Sequence, residues 1–200
     1  MAEHMEIYKG YKIVIKRDSE PMDPDFFYAD TVFMITKHRQ FSVSPKKSVV
    51  GKIDYKNLWG IPLYAYIHSG VHLSLTNTTY PFNDLWDSGI AGEVFVRRDS
   101  SLTPTLEKAM EIAQDYVDCW NYYLSGDVWG FTIEDEQGIL QDSAYGYYVD
   151  DLYKVLPEAH KIIDEYTKDP DLVAPTTWDR PMVEHEAEYQ EQLILTGILD

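Results

Sequence analysis

The spacing of apolar residues changes near residue 100, and this change constrains the fold more than any other feature of the chain. Over residues 8–96, short apolar alternations are separated by turn residues, a pattern that predicts antiparallel strands and hairpins. Over residues 104–124, apolar residues recur at steps of three and four, which predicts one long amphipathic helix. The chain is therefore predicted to be α+β, with most of its sheet before the helix.

The predicted sheet is antiparallel and contains about five to seven strands. The strand candidates are residues 10–16, 31–43, 92–98, one or two strands over 61–75 with a bend at Ser69 and Gly70, and a hairpin of 127–135 with 140–149. Glu136, Gln137 and Gly138 are expected to form the turn of that hairpin.

The long helix is predicted to bury one stripe of side chains and to have defined ends. The stripe consists of Leu106, Met110, Ala113, Val117, Trp120 and Leu124. Thr103 is the expected N-cap with Pro104 at the first helical position, and Ser125 with Gly126 is expected to end the helix. A second, shorter helix is predicted over residues 157–168.

Three prolines interrupt the regular pattern after residue 169. They are Pro170, Pro175 and Pro181, and regular structure does not run across them. We therefore expect residues 1–168 to form a single α+β domain. Residues 169–200 are expected to form a Pro-containing strap and an acidic C-terminal extension.

The negative charge of the chain belongs to one half of it. Residues 101–200 hold 22 acidic and 5 basic residues, whereas residues 1–100 hold 12 of each. Such a field repels nucleic acid and acidic membranes, and it attracts basic protein surfaces over a Debye length of about 8 Å at physiological salt. The composition therefore favours binding to a basic protein and disfavours direct binding to nucleic acid.

Acidic residues repeat along the polar face of the predicted long helix. They are Glu107, Glu111, Asp115 and Asp118. Like charges at this spacing cost an isolated helix about 0.2–0.5 kcal/mol per pair. One interpretation is a solvated face, and the other is a recognition face that imitates the phosphate spacing of a duplex. Five further acids would extend that face if the fold brings them alongside: Glu134, Asp135, Glu136, Asp150 and Asp151.

Residues 80–96 interleave large aromatic rings with turn residues. The candidates here are Phe82, Trp86 and Asp87, and Trp129 and Tyr147 repeat the theme on the later hairpin. One interpretation is a tight hairpin in which the Asp87 or Ser88 side chain caps the turn while Phe82 and Trp86 close the core. The other is an aromatic pocket or partner contact, with Trp86, Trp129 and Tyr147 as its walls.

Other residues give weak catalytic and metal signals. His68 and His72 share a strand face, with His38 possible from a neighbouring strand, but the first two would lie about 13 Å apart along a straight strand. Cys119 lies midway along the helix beside Trp120, where packing is the usual role of a cysteine. A Walker motif, a dinucleotide fingerprint and a nucleophile elbow are absent from the sequence. We therefore expect no metal and no cofactor.

The sequence also bears on the compartment. It has no apolar run of the about 20 residues that cross a bilayer, and no basic segment followed by an apolar stretch at its start. A single cysteine excludes an internal disulfide and fits a reducing environment. These features predict a cytoplasmic protein that does not contact a membrane.

Five segments carry a recognisable pattern in a fixed order within residues 6–155. They are residues 8–13, His68 to Gly70, Trp86 to Gly89 with Gly92, residues 123–131, and Asp142 and Ser143 with Tyr145 to Tyr147. In these segments the chain resembles a family of small accessory proteins encoded by bacteriophages and related mobile elements. The resemblance brings no established activity and no catalytic residues. It implies a small protein of the infected cell that acts by binding host machinery.

Three functions follow from these observations. The leading prediction is a phage accessory binding protein, an acidic inhibitor that occupies a basic nucleic-acid-binding surface of a host defence or nucleic-acid-handling protein. The alternative is a protein that binds or sequesters a small molecule, such as a nucleotide signal, in an aromatic pocket. The third is a hydrolase of unknown substrate, which would depend on His68 or Asp87.

Overall fold

The computed structural model describes residues 4–28, 31–38, 42–43, 55–76, 80–84, 86–98, 103 and 105–168. The strands are β1 (His4–Tyr8), β2 (Tyr11–Arg17), β3 (Val32–Thr36), β4 (Leu58–Ile67), β5 (Val71–Leu75), β6 (Ser88–Arg97), β7 (Val128–Glu134) and β8 (Leu140–Tyr148). The α-helices are α1 (Asp25–Tyr28), α2 (Leu106–Ser125) and α3 (Leu156–Lys168). The strap and acidic extension expected for residues 169–200 lie outside the described residues.

Two antiparallel sheets of four strands each are present in the described residues. The first sheet has the strand order β1–β2–β7–β8, and the second has the order β3–β6–β4–β5. The α+β class and the long helix are thus confirmed, but the prediction of one sheet with five to seven strands is corrected to eight strands in two sheets. Alternation identifies a strand but not its partner, and Lys12 of β2 pairs with Glu134 of β7, far along the chain.

A two-residue turn joins β1 to β2. Lys9 and Gly10 occupy it with φ angles of 49° and 86°. Positive φ at both central positions is the signature of a type I′ hairpin, whose twist matches that of the flanking strands. Gly10 was predicted to begin a strand, and it belongs to the turn instead.

The first sheet packs against α3. Ile13, Phe131 and Ile133 are fully buried in one cluster with Ala159 and Ile163 of the helix. The strand residues have alternate sequence positions, so they share the inner face of the sheet. This confirms the shorter helix predicted over residues 157–168.

The second sheet packs against α2, although the predicted stripe of that helix is partly wrong. Its buried residues are Ala109, Ala113, Tyr116, Val117 and Trp120. Leu106, the first residue of the helix, is 43% exposed. The buried face is therefore rotated toward Ala109 and Tyr116, which the spacing of large apolar residues did not indicate.

The start of α2 also differs from the prediction. Thr105 is the N-cap, and its hydroxyl accepts a hydrogen bond from the Lys108 N–H. Thr103, the predicted cap, is buried, and its hydroxyl donates to the Arg97 carbonyl at the end of β6. The predicted helix end is confirmed, because Gly126 adopts a left-handed conformation with φ of 75°.

The segment that joins β2 to β3 contacts elements from both sheets. The Tyr148 hydroxyl of β8 donates to the Met22 carbonyl, and the Phe27 ring lies 5.8 Å from the Tyr148 ring. On the other side, the Tyr28 hydroxyl lies 3.5 Å from Cys119 Sγ in α2. None of the helices in the described ranges combines the length and apolar character needed to cross a membrane.

Candidate functional site

A pocket of about 420 Å³ opens at one end of the second sheet, where β3 and β4 end and β6 begins. It is lined by His38, Ile67, His68, Trp86, Asp87, Ser88 and Gly89. The lining therefore comes from three segments that the strand pairing brings to one edge. His68 and the segment from Trp86 to Gly89, which were singled out from the sequence, meet at this pocket.

A histidine and a carboxylate form a close pair in the pocket. His68 Nδ1 lies 2.7 Å from Asp87 Oδ2, and the two side chains are 66% and 36% exposed. A neutral imidazole in this arrangement donates its Nδ1–H to the carboxylate, which leaves the Nε2 lone pair as the acceptor. Asp87 therefore selects the tautomer and orients the ring of His68.

The backbone around Asp87 is fixed on both sides. The Asp87 carbonyl accepts a hydrogen bond from the Ile67 N–H at 2.7 Å. The Asp84 carboxylate accepts from the N–H groups of Trp86 and Asp87 at 2.8 and 3.3 Å. This Asx turn is the capping chemistry expected for the segment, but Asp84 performs it rather than Asp87.

Aromatic rings hold the preceding loop against the outer face of β4. Tyr80 contacts Tyr64 with ring centroids 5.3 Å apart, and Phe82 contacts Tyr66 at 5.9 Å. Tyr66 in turn stacks on His68 with centroids 6.4 Å apart. Phe82 is thus half-buried in a ring cluster that supports the pocket wall.

Trp86 is 96% exposed at the pocket. The interpretation in which this ring closes the core is wrong, because nearly all of the side chain lies in solvent. A tryptophan ring in this position leaves a large apolar surface in water. It is available to stack against a ligand or a partner.

The structure does not bring Trp86 together with Trp129 and Tyr147. Those two residues are partners across β7 and β8, in the first sheet. Trp129 is 4% exposed and carries the Arg17 guanidinium 4.7 Å from its ring, while burial raises the pKa of Tyr147. Both belong to the core of the first sheet, so the three-ring pocket expected from the sequence is replaced by one that has a single indole.

The predicted acidic face is partly explained by local pairing. Glu107, Glu111 and Asp115 are exposed on α2, and Asp118 is half-buried. The Lys108 ammonium lies 2.5 Å from Glu111, and the Gln114 amide donates to Asp118 at 2.9 Å. Glu107 and Asp115 are exposed to solvent, and the described residues give neither carboxylate a salt bridge or hydrogen bond like those of Glu111 and Asp118.

Glu134 and Asp135 lie on the β7–β8 hairpin of the first sheet. Glu134 forms a salt bridge of 2.9 Å with Lys12, its cross-strand partner. The Asp135 carboxylate accepts from the Gln137 and Ile139 N–H groups at 2.9 and 2.8 Å, so it shapes the turn. Both carboxylates have local structural roles, and the described contacts do not join them to the acids of α2.

The structure separates the three histidines that were weighed as a metal site in the sequence. His38 and His68 line the pocket, whereas His72 lies on β5 with its ring 6.2 Å from Phe82. Within the described part of the chain, no group of three His, Cys, Asp or Glu residues is placed to hold a metal ion. Ser88, which the sequence offered beside Asp87 as a side chain that caps the turn, also lines the pocket.

No protein-family model matches the chain, and neither the curated proteins nor the solved structures that were compared with it give a match.

Proposed function

We propose that the chain is a binding protein that holds a small ligand in the pocket of His68, Asp87 and Trp86. One observation carries the proposal: a fully exposed indole stands beside an imidazole that a carboxylate has already oriented. Aromatic rings with a few placed polar groups are the usual lining of ligand sites. The leading sequence prediction, binding through acidic residues, thus becomes the second candidate.

The ligand that fits this chemistry has a flat ring and a hydrogen-bond donor. The ring stacks on Trp86, and an N–H or O–H group donates to Nε2 of His68. The base of a nucleotide signal, as expected from the sequence, meets both needs, with its phosphates outside the pocket, because the described lining offers no lysine or arginine to pair with them. In an infected cell, such a protein sequesters the signal from its receptor.

Ligand retention tests this proposal directly. The protein is purified, denatured and cleared, and the supernatant is examined by mass spectrometry for a retained small molecule. Trp86→Ala is expected to lose the molecule, because the stacking surface is removed. Tyr153→Ala is the matched control, because Tyr153 is 56% exposed but contacts His4 in the first sheet, outside the pocket. A supernatant free of ligand, together with no Trp86-dependent binding of added nucleosides or nucleotides, would refute the proposal.

An acidic inhibitor is the second candidate, and the exposed face of α2 favours it. Glu107 and Asp115 face solvent there, and the residues from 101 onward hold 22 acids against 5 bases. The partner would be a host protein with a basic nucleic-acid-binding surface, because opposite charge steers association. Reversal of charge at Glu107, Glu111 and Asp118 should then weaken capture of that partner and flatten its salt dependence. Unchanged capture by the triple variant would remove this candidate.

A further inference from the structure

We infer that His68 and Asp87 form a general-base pair that activates water, so that the pocket hydrolyses an uncharged aromatic ester. This reaction depends on the ligand pocket proposed above and adds a chemical step to it. The flat ring of the ester would stack on Trp86, which lines the same pocket as His68. The ester carbonyl would then lie beside the imidazole.

The pair is built more rigidly than an ordinary surface contact. An exposed ion pair contributes about 0–1 kcal/mol to stability. Here the backbone carbonyl of Asp87 accepts a hydrogen bond from the Ile67 N–H. The backbone N–H of Asp87 donates to the Asp84 carboxylate. Groups held in advance by such secondary contacts are typical of functional sites. The arrangement therefore favours chemistry at His68 over a contribution to folding.

Water, rather than Ser88, is the nucleophile. The Ser88 hydroxyl donates its hydrogen to the Asp84 carbonyl, and it accepts from the Tyr80 hydroxyl with 2.7 Å between the oxygens. Its proton is thus engaged away from His68. A water molecule in the pocket has no such constraint.

Each bond in the reaction is accounted for. Nε2 of His68 accepts a proton from water while the water oxygen bonds to the carbonyl carbon, and Asp87 stabilises the imidazolium. The tetrahedral adduct then breaks its bond to the alkoxide, which takes the proton from Nε2. The products are a carboxylic acid and an alcohol, and the imidazole returns to its neutral form.

An uncharged substrate fits the local charge. Asp87 is a carboxylate, and the described lining residues include neither lysine nor arginine. A phosphate ester would therefore meet repulsion without a compensating cation. A carboxylic ester carries no charge before the reaction.

The test uses 4-nitrophenyl acetate with the full chain and follows release of 4-nitrophenolate. His68→Gln is expected to lower kcat/KM by about 100-fold or more, the usual contribution of a general base. His72→Gln is the matched control, because His72 lies on the same sheet but is not among the pocket-lining residues, and it should keep the wild-type rate within about twofold. Circular dichroism confirms that each variant folds.

Asp87 acts as a positioning residue, and the separate kinetic constants distinguish this role from a structural one. In Asp87→Asn the carboxylate no longer fixes the tautomer and orientation of the His68 ring, so kcat should fall, whereas KM, which reflects stacking on Trp86, should stay within about twofold. Asp115→Asn, an exposed change on α2, should leave both constants in place.

Three outcomes overturn the reaction. They are a His68→Gln variant that keeps the wild-type rate, an Asp87→Asn variant that keeps the wild-type kcat, and cleavage of 4-nitrophenyl phosphate as fast as the acetate. If the acetate is not cleaved but a ligand is retained through Trp86, hydrolysis is refuted and the binding pocket stands. If neither is found, both are refuted.

Discussion

The Tyr116 hydroxyl of α2 donates a hydrogen bond to the Asp25 carboxylate of α1, with 2.5 Å between the oxygens. Tyr116 is fully buried, and burial raises the pKa of its phenol well above the usual range, with the charge of Asp25 adding to the effect. The phenol therefore stays a donor at every ordinary pH. Because α1 lies in the segment that contacts both sheets, this bond fastens that segment to α2.

Removal of the Tyr116 hydroxyl should lower stability. In Tyr116→Phe the half-buried Asp25 loses a charged hydrogen bond, and we expect the free energy of unfolding to fall by about 2 kcal/mol. Urea denaturation measures the change. Tyr153→Phe is the control, because Tyr153 is exposed, and it should change stability by less than about 0.5 kcal/mol. Equal stability of the wild type and Tyr116→Phe would show that the bond is not formed.

The Cys119 thiol should be slow to react. Burial raises its pKa from 9.0, and the neighbouring Tyr28 hydroxyl only partly opposes this effect. Because the thiolate is the reactive form, fewer molecules carry it at a given pH. Modification by an aromatic disulfide reagent at pH 8 should therefore be slower than modification of glutathione. Denaturation should restore rapid reaction of one thiol per chain, and a native rate equal to that of glutathione would contradict the prediction.

The sequence predicted the elements of the fold better than their assembly. Alternation located β4, β5 and the β7–β8 hairpin, and the helical period located α2 and α3. Periodicity is a local property, and so it did not show that β7 pairs with β2 rather than with a neighbour. The same limit explains the predicted pocket of Trp86 with Trp129 and Tyr147, because Trp86 lies in the turn before β6 of the second sheet, whereas the other two lie in the first sheet.

The candidate site was partly visible in the sequence. Trp86 and Asp87 were identified from the mixture of rings and turn residues, and His68 from its place on a strand. Their meeting depends on the register of β4 with β6, in which Tyr66 pairs with Ser88. A register is set by contacts between strands, so neither His68 nor the Trp86–Asp87 segment alone indicated that His68 and Asp87 would meet.

Gly92 permits the close approach of β6 to β3. A Cβ atom built on it would lie 2.0 Å from the Ile35 carbonyl oxygen and 2.9 Å from Thr36 Cα, both in the backbone. Backbone atoms in a paired strand cannot move aside cheaply, so Gly92→Ala should lower the free energy of unfolding by about 2 kcal/mol or more.

Gly70 provides the control for this glycine. A Cβ atom on Gly70 would meet nothing within 4 Å, so Gly70→Ala should change stability by about 0.5 kcal/mol or less. Urea denaturation of both variants makes the comparison. Similar losses in the two variants would mean that the cost comes from glycine replacement in general rather than from the contact with β3.

Asp164 of α3 should make stability depend on pH at the acid end. Lys9 lies 2.7 Å from its carboxylate and Tyr8 donates to it at 3.0 Å, and these two contacts lower the pKa of Asp164 from 3.8. The carboxylate is thus harder to protonate in the folded chain than in the unfolded chain. Its contribution to stability is complete above pH 3.8 and is lost as pH falls through the lower folded value.

Asp164→Asn removes this pH dependence. The difference in unfolding free energy between the wild type and Asp164→Asn should be constant at neutral pH and should shrink as pH falls below 3.8. Lys9→Met should reproduce part of the effect, because the Lys9 contact is the largest cause of the lowered pKa. Urea denaturation at a series of pH values measures both differences. If the difference for Asp164→Asn is the same at every pH, then the β1–β2 turn is not fastened to α3 through this carboxylate.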